Sequence, residues 1–108
     1  MRAAGWTNGQ IHEPGGYGLK IAAADRDRHF DRGWSEVEVD LEGQGPTTIA
    51  LTESFWRRCT ELRSADVGRW LLDSGRAPWV KGQPPTIALT PVEGPRFAAR
   101  ILRQHNLR

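Results

Sequence analysis

Four groups of residues in this 108-residue chain combine side-chain types and spacings that can do chemistry. The first is Asp25-x-Asp27-x-His29-x-Asp31, which sets hard-metal ligands at alternate positions. A calcium loop of the EF-hand kind needs glycine at its sixth position, where Phe30 stands, and a carboxylate at its twelfth, which Glu36 supplies. Arg26, Arg28 and Arg32 are interleaved with the acids and neutralise them, so the segment predicts a solvated ion-pair loop and no metal site. The second is the stripe Glu36, Glu38 and Asp40, which with Asp31 and Lys20 has the makings of a magnesium-dependent nuclease centre. The same alternation is the ordinary outward face of a strand, where charge also discourages edge pairing. The third is Cys59, a nucleophile if His12, His29 or His105 reached it. Its spacing from Phe55 and Leu62 places it instead on the apolar face of a helix, as a small hydrophobe.

The fourth group is basic and aromatic. Residues 1–50 hold five basic and eight acidic side chains, residues 51–108 ten and five, so the halves carry about −3 and +5. Arg57, Arg58, Arg63, Arg69, Arg76, Lys81, Arg96, Arg100 and Arg103 fall in the basic half, which also holds Trp56, Trp70 and Trp79. Guanidinium groups pair with phosphate and an indole can stack on a base, so this combination suits nucleic acid. Trp56 and Trp70 fit helical core stripes, which leaves Trp79, in a proline-bounded loop, as the candidate contact. The competing explanations are that arginine merely reflects genome composition and that the Pro78–Pro85 segment folds back to cap the domain.

These residues must be positioned by elements that the hydrophobic pattern predicts. Residues 1–16 carry four glycines and no period, which predicts a loose N-terminal arm; residues 17–108 are expected to form one α+β domain. Tyr17–Ala23 alternates and predicts a strand, followed by a charged loop from Asp25 to Gly33. Val37, Val39 and Leu41 alternate with acids, and Thr47–Leu51 reads as the hairpin partner across Glu42–Pro46. Thr52 is the expected N-cap of a helix with Phe55, Trp56, Cys59 and Leu62 on one face. Ser64 caps a second helix, which Gly75 ends. Three prolines forbid helix between Arg76 and Pro85. Thr86–Thr90 and Arg96–Leu102 form a last hairpin, with Arg96 and Arg100 facing outward. The expectation is therefore a five-stranded, mainly antiparallel sheet or partly open barrel, in the order β-β-β-α-α-β-β, with two short helices packed on one side.

Composition narrows the class further. Hydrophobic residues make up 38% and charged residues 26%, which suits a globular domain. A single cysteine excludes an intrachain disulfide and a multi-cysteine zinc site, which fits a reducing, cytoplasmic setting. No apolar run suits a signal peptide or a membrane span. Glycine and serine contexts match no phosphate loop, dinucleotide fingerprint or nucleophile elbow. The expected protein is a small non-enzymatic binding module without a cofactor, contacting nucleic acid or another anionic macromolecule through Arg57, Arg58, Trp79, Lys81, Arg96 and Arg100, with the acidic strand turned away. The alternative is a homodimeric interaction module anchored by Trp79, Trp6 and Ile11. A metal-dependent enzyme using the acidic loop and strand comes third.

Overall fold

A computed structural model describes residues 1–102. Seven strands form one nearly closed, barrel-like sheet: β1 (Arg2–Thr7), β2 (Tyr17–Lys20), β3 (Glu36–Leu41), β4 (Gly45–Ala50), β5 (Glu61–Arg63), β6 (Thr86–Glu93) and β7 (Arg96–Ile101). Three short helices, α1 (Ala23–His29), α2 (Glu53–Arg57) and α3 (Ala65–Asp73), and a 3-10 turn at Pro14–Gly16 complete this mixed α+β architecture. The order across the sheet is β4-β3-β7-β6-β1-β2-β5. Every pairing is antiparallel except β3 beside β7, which is parallel.

Period-two alternation fills the interior. Val37, Val39 and Leu41 of β3, Ile49 of β4, Ile87 and Leu89 of β6, and Phe97 and Ala99 of β7 all point inward and are buried. Tyr17 and Leu19 of β2 and Leu62 of β5 close the other side. The edges β4 and β5 lie side by side at a seam that α3 stitches: Thr47 Oγ1 donates to Asp66 Oδ2 at 2.7 Å, and Gln44 Nε2 to the Asp66 carbonyl at 2.9 Å. Trp70 Nε1 adds a bond to the Glu42 carbonyl at 2.9 Å. These bonds fix α3 against β4 and the turn that precedes it.

Three elements depart from the expected pattern, each for a physical reason. The arm of residues 1–16 is not loose, because Arg2–Thr7 enters the sheet between β2 and β6. Its inward residues are Ala3 and Gly5, which give no hydrophobic period; a Cβ on Gly5 would come within 3.0 Å of Pro85 and of Trp79 Cη2. The charged loop is instead α1, whose buried position is an arginine. Arg26 Nη1 donates to the carbonyls of Phe55 and Trp56 at 3.1 and 3.0 Å, which answers the end of α2 with a cation. The helix expected through Leu62 stops after Arg57, and the chain turns so that Glu61–Arg63 can pair with β2 as β5. Leu62 thus meets Leu19 across strands, and Cys59 sits half-buried in the intervening turn, off any helix face. The expected caps are present: Thr52 Oγ1 accepts from the Phe55 amide, and Ser64 Oγ from those of Asp66 and Val67. Gly75 ends α3 with a φ of 77°, a left-handed conformation that favours glycine.

The two ends of the barrel differ. Strand β2 begins at Tyr17 and runs toward α1, so α1 and Tyr17 mark opposite ends. At the α1 end, Phe30 stacks on Phe97 at 4.8 Å and tilts against Phe55 at 5.2 Å. At the other, α3 lies on the 3-10 turn and β2 while Trp79 meets Tyr17. No helix is long and apolar enough to cross a membrane among the described residues.

Candidate functional site

The six residues expected to form one anion-binding surface are distributed over the molecule. Arg57 and Arg58 lie at the α2 end, exposed, with Arg57 Nη1 3.4 Å from Glu53 Oε1. Trp79 and Lys81 belong to the loop at the α3 end. Trp79 is half-buried and packs edge-on against Tyr17 at 5.5 Å, so it caps the barrel. Arg96 and Arg100 face outward on β7, but their neighbour is the acidic strand expected to lie elsewhere. The parallel register sets Glu38 beside Arg96 and Asp40 beside Ala98. Arg96 Nε accordingly lies 3.6 Å from Glu38 Oε2, and Nη1 3.9 Å from Glu93 Oε1. Arg103 and His105 lie outside the described residues.

A different cationic surface comes from the register of five adjacent strands, β7-β6-β1-β2-β5. Arg100, Ala88 and Arg2 stand in one row, since Ala88 pairs with Arg100 on one side and Arg2 on the other. Thr86, Ala4, Lys20 and Glu61 form the next row, and Trp6, Gly18 and Arg63 a third. Neighbouring strands are about 4.8 Å apart and outward residues about 6.8 Å apart along a strand, so Arg2 and Arg100 are about 10 Å apart at the backbone. Arg2, Lys20, Arg63 and Arg100 are exposed, while alanine, threonine and glycine between them keep the floor low. Arg2, Lys20 and Arg100 make no salt bridge among the described residues. Only one acid, Glu61, enters these rows. On the β3 side the surface is bordered by Glu38 and Asp40, which gives it a sharp charge boundary.

The third row is held in place by its own contacts. Arg63 Cζ sits 4.7 Å from the centre of the Trp6 ring, reaching over the strand between them. Gly18, in the strand between, lets the β5 backbone approach β2 closely, because a Cβ there would lie 2.5 Å from the Leu62 carbonyl oxygen. Glu61 Oε1 accepts from Arg63 Nη2 at 3.2 Å, and its side chain is only 6% exposed. The guanidinium is therefore fixed between an indole and a carboxylate, with its remaining N–H groups free to turn outward.

Other candidates take on structural work. Asp25 and Asp27 lie on α1, and among the described residues no group of three or more His, Cys, Asp or Glu side chains is arranged to hold a metal. Burial raises the Tyr17 phenol above its usual range, and its hydroxyl donates to the Ile11 carbonyl at 2.7 Å. Hydrogen bonds from Thr47 and Arg69 hold the Asp66 carboxyl below its usual range.

The sequence held no signal for the cationic rows, since Arg2, Ala4 and Trp6 share one side of a segment without a hydrophobic period. Strand order and register, which bring Arg2 beside Ala88 and Arg100, decide which cations become neighbours. No protein-family model, curated protein or solved structure matches this chain.

Proposed function

We propose that the protein is a non-enzymatic binding module whose outward β7-β6-β1-β2-β5 face holds a nucleic-acid strand. The observation that carries this is the row register itself, which gathers Arg100, Arg2, Lys20 and Arg63 over a floor of small side chains. Phosphates along a strand need closely spaced cations, and releasing counterions from them supplies most of non-specific affinity. Half-buried Trp6, with Arg63 over its ring, places an indole and a guanidinium side by side within the same face. Of the expected homodimer anchors, Trp6 and Trp79 are engaged within the chain by Arg63 and Tyr17, while Ile11 is exposed.

The test is binding of a labelled twelve-nucleotide single strand across a range of salt concentrations. Each phosphate contact on a single strand contributes a slope of about 0.7 in log K against log salt. Replacing Arg2 and Arg100 together by alanine should weaken binding and flatten the slope by about 1.4. Arg96→Ala, which removes a cation already engaged by Glu38, should change the slope much less. Equal slopes for the wild type and the Arg2/Arg100 double variant would refute the assignment.

A further inference from the structure

Beside the third cationic row, the seam between β4 and β5 opens into a pocket of about 270 Å³ lined by Ala50, Thr52, Ser54, Glu61 and Arg63. Its chemistry is unusual for a phosphate-binding face. A carboxylate beside the path of a polyanion repels it, yet Glu61 is held there with a side chain 6% exposed and, among the described residues, one hydrogen bond, from Arg63. An ionised carboxylate offers about four acceptor sites, so most of its capacity is unused. Thr52 Oγ1 is occupied by the Phe55 amide, whereas the Ser54 hydroxyl makes no hydrogen bond among the described residues. The pocket thus presents an unspent acceptor, a hydroxyl and a fixed guanidinium around a space near the lower end of small-ligand sites.

We infer that this pocket receives one base of the bound strand and selects guanine. The inference rests on the cationic-face proposal, because the strand must already lie along Arg2, Lys20 and Arg63. Guanine presents two adjacent donors, its ring N1–H and its exocyclic amino group, to a single carboxylate, and its O6 accepts from a guanidinium or hydroxyl. Thymine and uracil present one donor flanked by acceptors, which a carboxylate rejects. Single-stranded recognition commonly reads splayed bases through such edge contacts. The 4.7 Å Arg63–Trp6 stack holds the guanidinium at the rim, where it can contact both a phosphate and the base.

The experiment compares labelled dT12 with dT12 carrying one central dG, dA or dC. Wild-type protein should bind the dG strand at least fivefold more tightly than dT12, the lower end of what one good bidentate base contact delivers. Glu61→Gln should lose the dG preference, binding the dG strand no more tightly than dT12. Ala50→Met, which fills the pocket from β4 and leaves both Glu61 and Arg63 in the sequence, should lose that preference too. Circular dichroism confirms that each variant is folded. If wild type binds all four strands equally, the guanine pocket is refuted while the cationic face stands. If Glu61→Gln weakens all four strands alike, Glu61 only holds Arg63 and the pocket is again refuted. If no strand binds, the cationic face fails and the pocket with it.

Discussion

Gly68→Ala is the sharpest test of how the α3 end is assembled, because helix propensity and packing predict opposite signs. Gly68 lies inside α3, where alanine is favoured over glycine by about 1 kcal/mol. A Cβ at this position, however, would lie 1.9 Å from the Pro14 carbonyl oxygen, 2.6 Å from its carbon and 2.7 Å from its Cα. Ordinary contact begins near 3.4 Å, so the backbone of α3 or of the Pro14–Gly16 turn must retreat by about 1.5 Å. Neither is free to do so. The helix is tied to the sheet by Trp70 and Asp66, and the turn by the Asn8 amide on the Gly16 carbonyl at 2.9 Å. Overpacking costs about 1–3 kcal/mol, and losing one of these bonds adds about 1 kcal/mol. After the propensity gain, the variant should be destabilised by about 1–3 kcal/mol, which lowers Tm by about 5–20 °C in a domain of this size. Urea unfolding followed by tryptophan fluorescence, with thermal melts by circular dichroism, measures this directly. Gly15→Ala is the control: a Cβ there meets nothing within 4 Å, and stability should stay within about 0.5 kcal/mol of wild type. A Gly68→Ala protein as stable as wild type, or more so, would refute the close approach of α3 to the turn.

Three further outcomes follow from single contacts. Arg26→Ala should cost about 3 kcal/mol in urea unfolding, since two carbonyls at the end of α2 lose a charged donor; a change below about 0.5 kcal/mol would contradict that role. Asp66 has a depressed folded pKa, so its contribution is present above the usual carboxylate value of 3.8 and is lost as pH falls through the folded value. Asp66→Asn should therefore flatten the acid limb of the stability curve below that pH while lowering stability at neutral pH, and an unchanged acid limb would count against the Thr47–Asp66 stitch. Trp79→Ala should cost about 1–3 kcal/mol by uncovering Tyr17 and Gly5, measured by the urea midpoint, and should leave oligonucleotide affinity unchanged, because Trp79 meets β1 at Gly5, on the side opposite Arg2, Ala4 and Trp6.

The strands and helices whose side chains announce themselves were legible from the chain. Val37, Val39 and Leu41 alternate with acids, Thr52 and Ser64 accept from amides of the first turn, and Gly75 takes a positive φ that ends α3. Each of these signals is local, arising within a few residues of its own position. What remained hidden was built from residues whose burial depends on a distant partner. Ala3 and Gly5 form an interior strand face only because Pro85 and Trp79 fill the space beside them, and Arg26 counts as a buried residue only because α2 ends against it. The three-residue β5 carries a single inward side chain, too short a pattern to separate from the helix before it.

The candidate surface divides the same way. Sequence alone determined that this is an arginine-rich, one-cysteine chain with an acidic stripe on one strand and outward-facing Arg96 and Arg100 on another. Only the tertiary structure decided that the acidic stripe lies against Arg96, and that Arg2, from the first strand, stands in line with Arg100, from the last. Alternation fixes which side of a strand a residue faces, a property of one chain segment, whereas the neighbours it meets there depend on strand order and register, which the packing of the whole barrel sets.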